Sequence, residues 1–288
     1  MRFIVFGDSK GKENGINKKV LNSIMKETCK LNPEPEFIVM CGDTVAGSPN
    51  EEVLKLQLTD LKNIIEKYHP GKQLIPVVGN HEVNITPEDD KFEKAFSQFY
   101  DNLIPNKFTL DNYNKTVYYI DFEDTRLIVL NSFHYGEIHK ISQAQLNWLE
   151  KIASDCTKSK LLFVHSPAFP TGAHLGHCLD LYPDDRDKFL NVIEKCNIDI
   201  IFCGHEHNYS RRKINNSYKD GYIYQIITGG AGEKLRDKFK SKSGVIVPPI
   251  AVYHFLLIDV DKEYIKVRSI TSKGKKIDEF EIKIKYGC

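Results

Sequence analysis

What the chain lacks narrows it first. None of its apolar runs approaches the roughly 18 residues that a membrane-spanning helix needs. There is no charged-then-apolar leader either, because Arg2 is followed at once by a short apolar run that stops at Gly7. A cytoplasmic protein without a membrane partner is the expectation. Excess charge of one sign is also missing: 40 Lys and Arg against 39 Asp and Glu leave +1. No global field therefore marks nucleic acid as a partner. The seven cysteines (Cys29, Cys41, Cys156, Cys178, Cys196, Cys203, Cys288) are odd in number and contain no C-x-x-C pair, which argues against a disulfide framework or thiolate metal site. Cys41 and Cys203 close the apolar runs FIVMC and DIIFC, and a reduced, buried cysteine fits there as a small hydrophobe. No repeat, low-complexity block or Pro/Ser-rich linker divides the 288 residues. One domain over 1–288 is expected, with its chemistry in 7–207 and a β-rich part at 222–286.

What is present is a regular alternation. FIVF (3–6) precedes a helical pattern around 20–31, FIVMC (37–41) one near 51–68, and LIPVVG (74–79) one near 88–100. Strand followed by helix, repeated, predicts parallel βαβ units. VYYIDF (117–122) and RLIVLNS (126–132) predict a hairpin. A helix capped by Ser142, a strand at 160–165, a helix at roughly 184–196 and a strand at 199–205 follow. From Tyr222 onward the pattern is β, with hairpin turns at 261–263 and 273–274.

Strand after strand ends in a residue that binds metals: GD (7–8), GD (42–43), GNHE (79–82), His165 and GHEH (204–207). Ligand sites in α/β sheets lie beyond the carboxyl ends of the strands, so Asp8, Asp43, Asn80, His81, His165, His205 and His207 are expected to converge. A lone G-D is a common turn and weak evidence. GNHE and GHEH, in this order and each after a strand, are far sharper. Imidazole, carboxylate and amide donors without thiolate suit manganese, iron or zinc. There are too many donors for one tetrahedral ion, whereas two ions about 3.5–4 Å apart, bridged by one carboxylate, use them all.

This series resembles the calcineurin-like metallophosphoesterases, the family that includes the purple acid phosphatases. The family pattern runs D-x-H, G-D, G-N-H-D/E, a lone H and G-H-x-H, and NYSRR after GHEH is similar to the purple-acid-phosphatase branch. The resemblance implies a four-layer α-β-β-α sandwich of two mixed sheets flanked by helices. It implies that Asp43 bridges two metal ions, that Asp8 and His207 hold the first, and that Asn80, His165 and His205 hold the second. His81 then stands outside the ligand set, protonating the leaving oxygen or stabilising phosphoryl charge. The implied reaction is hydrolysis of a phosphate ester by a metal-activated hydroxide, with a phosphomonoester as the expected substrate. A diesterase is the nearest rival. A phosphate- or metal-binding homologue without turnover is the rival from another class.

One residue breaks the pattern. Lys10 stands where D-x-H places a histidine of the first site, and the GDTVAGSPN stretch lacks the tyrosine of the purple branch. Three readings stay open: a fixed cation for substrate phosphate, a lysine turned to solvent beside a weakened first site, and a neutral amine with a depressed pKa. His174 and Arg211 are candidate substrate contacts alongside Lys10, Asn80 and His81. Arg212, His134, Tyr135 and His177 are weaker ones. Glu82 or Asp121 is a candidate for orienting an imidazole. His69, His139 and His254 read as structural or solvated. TGGAGE (228–233) lacks the G-K-S/T ending of a nucleotide loop and reads as a tight turn near the cleft. The loops at 131–141, 166–183 and 229–248 are expected to select the substrate.

Overall fold

The computed structural model describes residues 1–85, 87–101, 108–154, 158–215 and 221–284. Its architecture follows from short runs of β-branched and aromatic residues long enough to be buried on both faces. In chain order the strands are β1 (Arg2–Phe6), β2 (Lys10–Glu13), β3 (Phe37–Met40), β4 (Gln73–Pro76), β5 (Phe108–Thr109), β6 (Tyr118–Phe122), β7 (Thr125–Val129) and β8 (Ser159–Phe163). They continue as β9 (Ile200–Cys203), β10 (Tyr209–Asn215), β11 (Tyr222–Thr228), β12 (Val245–Ile250), β13 (His254–Val260), β14 (Tyr264–Thr271) and β15 (Lys276–Lys283). Two mixed sheets result among the described residues, ordered β15-β14-β13-β1-β3-β4 and β12-β10-β11-β9-β8-β7-β6-β5. β1, β3 and β4 are mutually parallel, as are β7, β8, β9 and β11.

The sheets stack face to face, and the period-2 alternation of each strand sorts its side chains between two cores. Leu161 and Phe163 of β8 and Ile200 and Phe202 of β9 join the core that holds the first sheet. Leu162, Ile201 and Cys203 face the second core instead. Helices α1 (Lys18–Thr28), α2 (Glu51–Tyr68) and α3 (Lys91–Tyr100) pack Leu21, Leu58 and Phe96 into the first core. Helices α4 (Gln143–Ser154) and α5 (Pro183–Lys195) pack Leu149 and Phe189 into the second. This is the four-layer α-β-β-α sandwich that the sequence implied. No described helix is long and apolar enough to cross a membrane.

Local signals set the helix starts. Asn17 Oδ1 accepts from Val20 N at 3.2 Å, Asn50 Oδ1 accepts from Glu52 N at 2.9 Å, and Pro183 opens α5. The departures from expectation lie at the edges. β12, read as part of a loop up to 248, is a strand despite Pro248 and Pro249. It borders the second sheet, the one place a strand tolerates residues that donate no hydrogen bond. β10 was hidden by the charged RRK of YSRRKIN, which reads as solvated surface until its partners on both sides are known. Cys41 and Cys203 are buried free thiols, Cys29 is exposed, and Cys156 and Cys288 lie outside the described residues.

Phe37 ties the layers together. Its ring stacks between Phe3 at 4.7 Å and Phe122 at 4.4 Å between centroids, and it is fully buried. Phe37→Ala is expected to cost about 3–5 kcal/mol of stability, read as a lowered midpoint in chemical denaturation.

Candidate metal centre

The carboxyl ends of β1, β3, β8 and β9, and the loop after β4, open onto one place. The chain turns sharply there: Asp8, Asp43, His205 and His207 all adopt left-handed backbone, with φ of 60°, 51°, 71° and 46°. Such conformations cost non-glycine residues on the order of 1–3 kcal/mol each and persist only where the surroundings enforce them. The turns are zipped together by Asp8 N–H to Gly42 O at 3.0 Å and Lys10 N–H to Asp43 O at 3.2 Å. Gly42 is required twice over. Its φ is +79°, and a Cβ there would lie 2.5 Å from the His165 ring.

Asp43 divides its carboxylate between two neighbourhoods. Oδ1 lies 3.3 Å from His165 Nε2 and accepts from His81 N–H at 3.0 Å. His165 Nε2 in turn lies 3.2 Å from His205 Nδ1. The opposite ring nitrogens are committed: His165 Nδ1–H donates to Cys41 O at 2.7 Å and His205 Nε2–H to His177 O at 3.1 Å. With His165 deprotonated, two imidazole lone pairs face each other beside a carboxylate oxygen, at a buried spot on the edge of the cleft. Asn80 Oδ1 is buried nearby without a hydrogen-bond partner. These donors call for a cation, and Asp43, His165 and His205 are close enough together to share one. Burial disfavours charge on His165, yet Asp43 and Asp8 prevail and raise its pKa to about 9, so an ion bound there would displace a proton from Nε2. His205 is pushed well below the usual range by burial and by His165. A metal held through a histidine whose other nitrogen donates to a carbonyl is a recurrent arrangement, and this donor set fits one.

The other neighbourhood is filled by Lys10. Its ammonium, almost fully buried, donates to Asp43 Oδ2 at 2.5 Å and to His207 Nε2 at 3.4 Å, and pairs with Asp8 Oδ1 at 3.9 Å. His207 Nδ1–H donates outward to Lys234 O at 3.2 Å, leaving Nε2 as an acceptor. Asp8, Asp43 and His207 are the three residues implied to hold the first ion, and all three address the lysine. Of the three readings of Lys10, exposure to solvent is overturned. Burial opposes its charge, but Asp43 and Asp8 raise its pKa above the ordinary value. Asp43 stays ionised, because Lys10 and His165 outweigh burial and hold its pKa well below the carboxylate range. Burial raises Asp8 to about 7.

Two buried carboxylates hold the ligand loops. Glu82 makes no hydrogen bond to an imidazole among the described residues and takes the capping role that was equally open to it. It accepts instead from the backbone N–H of Asp43 and Gly79 at 2.9 Å and of Thr44 at 2.6 Å, and from Thr44 Oγ1–H at 2.8 Å. Glu206, the residue between the two histidines of GHEH, was not singled out from sequence. It accepts from the N–H groups of Thr171, Gly172 and His174 and so shapes the loop over the site. Nothing in its composition or spacing marked it.

A cleft of about 580 Å³ reaches this centre, lined by Asn80, His81, Ile85, Pro87, Phe133, Ile138, His139, His174, His177, Tyr182 and His205. His81 Nδ1–H donates to Ala46 O at 2.8 Å, leaving Nε2 3.9 Å from Asp43 Oδ2. His174 packs over His205 and His207, with ring centroids 4.6 and 5.1 Å away. Its pKa is lowered to about 4, chiefly by burial, and its Nδ1 is buried without a partner.

Other candidates lie elsewhere. Asp278 takes the guanidinium of Arg211 at 2.8 and 3.1 Å, and Phe280 stacks on it. Arg212 binds Ser243 O and Ser241. Asp121 pairs with Arg126 at 2.7 Å, and His134 with Glu93 at 2.9 Å. Sequence alone cannot tell an arginine aimed at a phosphate from one aimed at a carboxylate of the next sheet. His139, expected to be structural, lines the cleft. His69 and His254 are buried against Thr28 and Thr228. The 228–233 turn packs on the centre, with Glu233 N–H donating to Asp8 O at 2.9 Å.

Comparison with known proteins accords with this geometry. The model of the calcineurin-like phosphoesterase family matches residues 1–209. The human serine/threonine-protein phosphatase CPPED1 is 24% identical over 242 residues, covering 80% of this chain and 70% of that protein. Among solved structures, the purple acid phosphatase PPD1 of yellow lupin (Lupinus luteus) superposes with a TM-score of 0.76 at 16% identity over 98% of this chain. The chain spans about half of the lupin protein, 53% of its length. A dimetal phosphatase from Danio rerio gives a TM-score of 0.68 at 13% identity, covering 100% of this chain and 99% of that one. At these identities the two structures speak for the fold.

Glu82→Gln replaces an acceptor-only carboxylate with an amide whose NH2 must face backbone donors. The variant is expected to bind manganese about 10–100-fold more weakly, as is usual when a partner that orients ligands is lost. Calorimetric titration of the metal-stripped protein checks it, and unchanged affinity would rule out the orienting role.

Proposed function

The chain belongs to the calcineurin-like phosphoesterase family and is a hydrolase of phosphate esters, and on that premise we propose that it is a metal-dependent phosphomonoesterase. The observation that carries this reading is the facing pair of imidazole nitrogens, His165 Nε2 and His205 Nδ1, 3.2 Å apart beside Asp43. Asn80, whose amide oxygen is otherwise orphaned, completes the set that would hold a manganese, iron or zinc ion. Such an ion supplies Lewis acidity and brings the pKa of a water near neutrality.

The chain's own groups do the remainder. His81, held by Ala46 O through Nδ1, presents Nε2 to the cleft, where it serves as proton donor to the leaving oxygen. His174, fixed by Glu206 through its backbone, faces the same space as a contact for the phosphoryl group. Ile85, Ile138 and Tyr182 give the cleft an apolar flank beside these polar groups, suited to the organic part of a small ester. Substrate contact by Arg211 forms no part of this reading. The match to a protein named as a serine/threonine phosphatase favours a monoester over a diester.

Removal of metal by chelation is expected to abolish hydrolysis of p-nitrophenyl phosphate, with manganese restoring it. Asp43→Ala should be inactive in both states. His81→Ala should lower kcat by about 10²–10⁴-fold while metal content is unchanged. Preferential turnover of bis(p-nitrophenyl) phosphate would instead identify a diesterase, and metal binding without any turnover would identify a binding protein.

A further inference from the structure

We propose that this chain takes one metal ion rather than two, and that the ammonium of Lys10 stands in the place of the other. The inference rests on the metal reading of Asp43, Asn80, His165 and His205 given above and goes beyond it. Two ions bridged by Asp43 require Asp8, His207 and Asp43 Oδ2 to be free for the first. In this structure they are not free: Lys10 Nζ lies 3.9, 3.4 and 2.5 Å from Asp8 Oδ1, His207 Nε2 and Asp43 Oδ2. An ammonium has three N–H donors and no lone pair. Asp43 Oδ2 and His207 Nε2 take two of them and Asp8 Oδ1 pairs with the charge at 3.9 Å, so no ion can occupy the space among these three atoms while the ammonium stays.

Geometry fixes the lysine there. Lys10 opens β2, its N–H is bonded to Asp43 O at 3.2 Å, and the side chain is 5% exposed. Withdrawing it would leave two carboxylates side by side in a site that excludes water, which low dielectric makes severe. The cleft lined by Asn80, His81 and His205 does not include Asp8, Lys10 or His207, whereas Lys10 lines a smaller opening with Asn17, Gly232 and Glu233. With substrate in the larger cleft, Lys10 acts behind the ion as a positioning residue that keeps Asp43 charged and aimed. The unlike halves share out the carboxylate, Oδ2 to the ammonium and Oδ1 to the ion.

The test is metal stoichiometry on the full chain, independent of turnover. Metal-stripped protein saturated with Mn(II) and freed of excess is expected to retain one equivalent by elemental analysis. Its electron paramagnetic resonance spectrum should be that of an isolated ion, without the exchange splitting of a carboxylate-bridged pair. Lys10→Ala and the milder Lys10→Gln free three ligands and should raise retention from one equivalent to two, with exchange splitting appearing. Lys10→Arg should remain at one. Two coupled equivalents in the unaltered chain would overturn the proposal. So would one equivalent in both Lys10→Ala and Lys10→Gln when circular dichroism shows them folded. Retention of no manganese, zinc or iron by the unaltered chain would instead overturn the metal reading on which the proposal rests.

Discussion

Everything at this centre depends on how the carboxylate of Asp43 is shared. One oxygen faces His165 and the backbone of His81, the other the ammonium of Lys10. A buried carboxylate with one partner would protonate or pull in water, but with opposed partners it stays ionised and fixed. Its backbone is fixed as well, since Glu82 gathers the N–H groups of Gly79, Asp43 and Thr44. The left-handed turns at Asp8 and Asp43 are strained conformations that these contacts over-determine. Stability and function therefore draw on the same hydrogen bonds, and the sandwich beneath supplies the rigidity that allows it.

Much of this was legible in the sequence because of a coincidence of periods. A buried strand is a short apolar run, and the glycine that ends it marks where the chain turns. Any chemistry-bearing residue just beyond that glycine must lie at the carboxyl edge of a sheet. Asp8, Asp43 and His205 were placed by that rule and His165 as the residue closing an apolar run, and the parallel pairing of β1 with β3 and of β8 with β9 sets them side by side. Helices with strong amphipathic patterns, such as α2, came out at their observed limits. The edge strand β12 did not, since its two prolines argue against any strand that must donate on both sides.

What sequence left open was direction. Arg211 and Asp121 show that sequence does not say which of several opposite charges a side chain reaches. Arg211 had phosphate and Asp278 as alternatives, and the carboxylate of β15 lies 67 positions away in the chain. Glu206 failed differently. Its role is to satisfy backbone donors of a loop that is distant in sequence, and such a role leaves no mark on composition or spacing. The tendency is general: ligands that end strands announce themselves, whereas residues that hold loops in place do so through contacts fixed only by the tertiary fold.

The lysine sharpens the electrostatic argument about such centres. Two buried aspartates and several neutral imidazoles carry an excess of negative charge that some cation must offset. A diffusible ion does so only when it is available, and its loss would expose Asp8 and Asp43 to each other. An ammonium tethered by the chain is present as soon as β2 docks beside the Asp43 turn. It cannot act as a Lewis acid, because it has no empty orbital for a water oxygen to fill. Replacing an ion by lysine therefore exchanges part of the site's capacity to activate water for independence of one half of the centre from metal supply. Which half was exchanged follows from the cleft. The lysine lies outside the lining of the cleft that holds Asn80 and His81, and His205 lies within it.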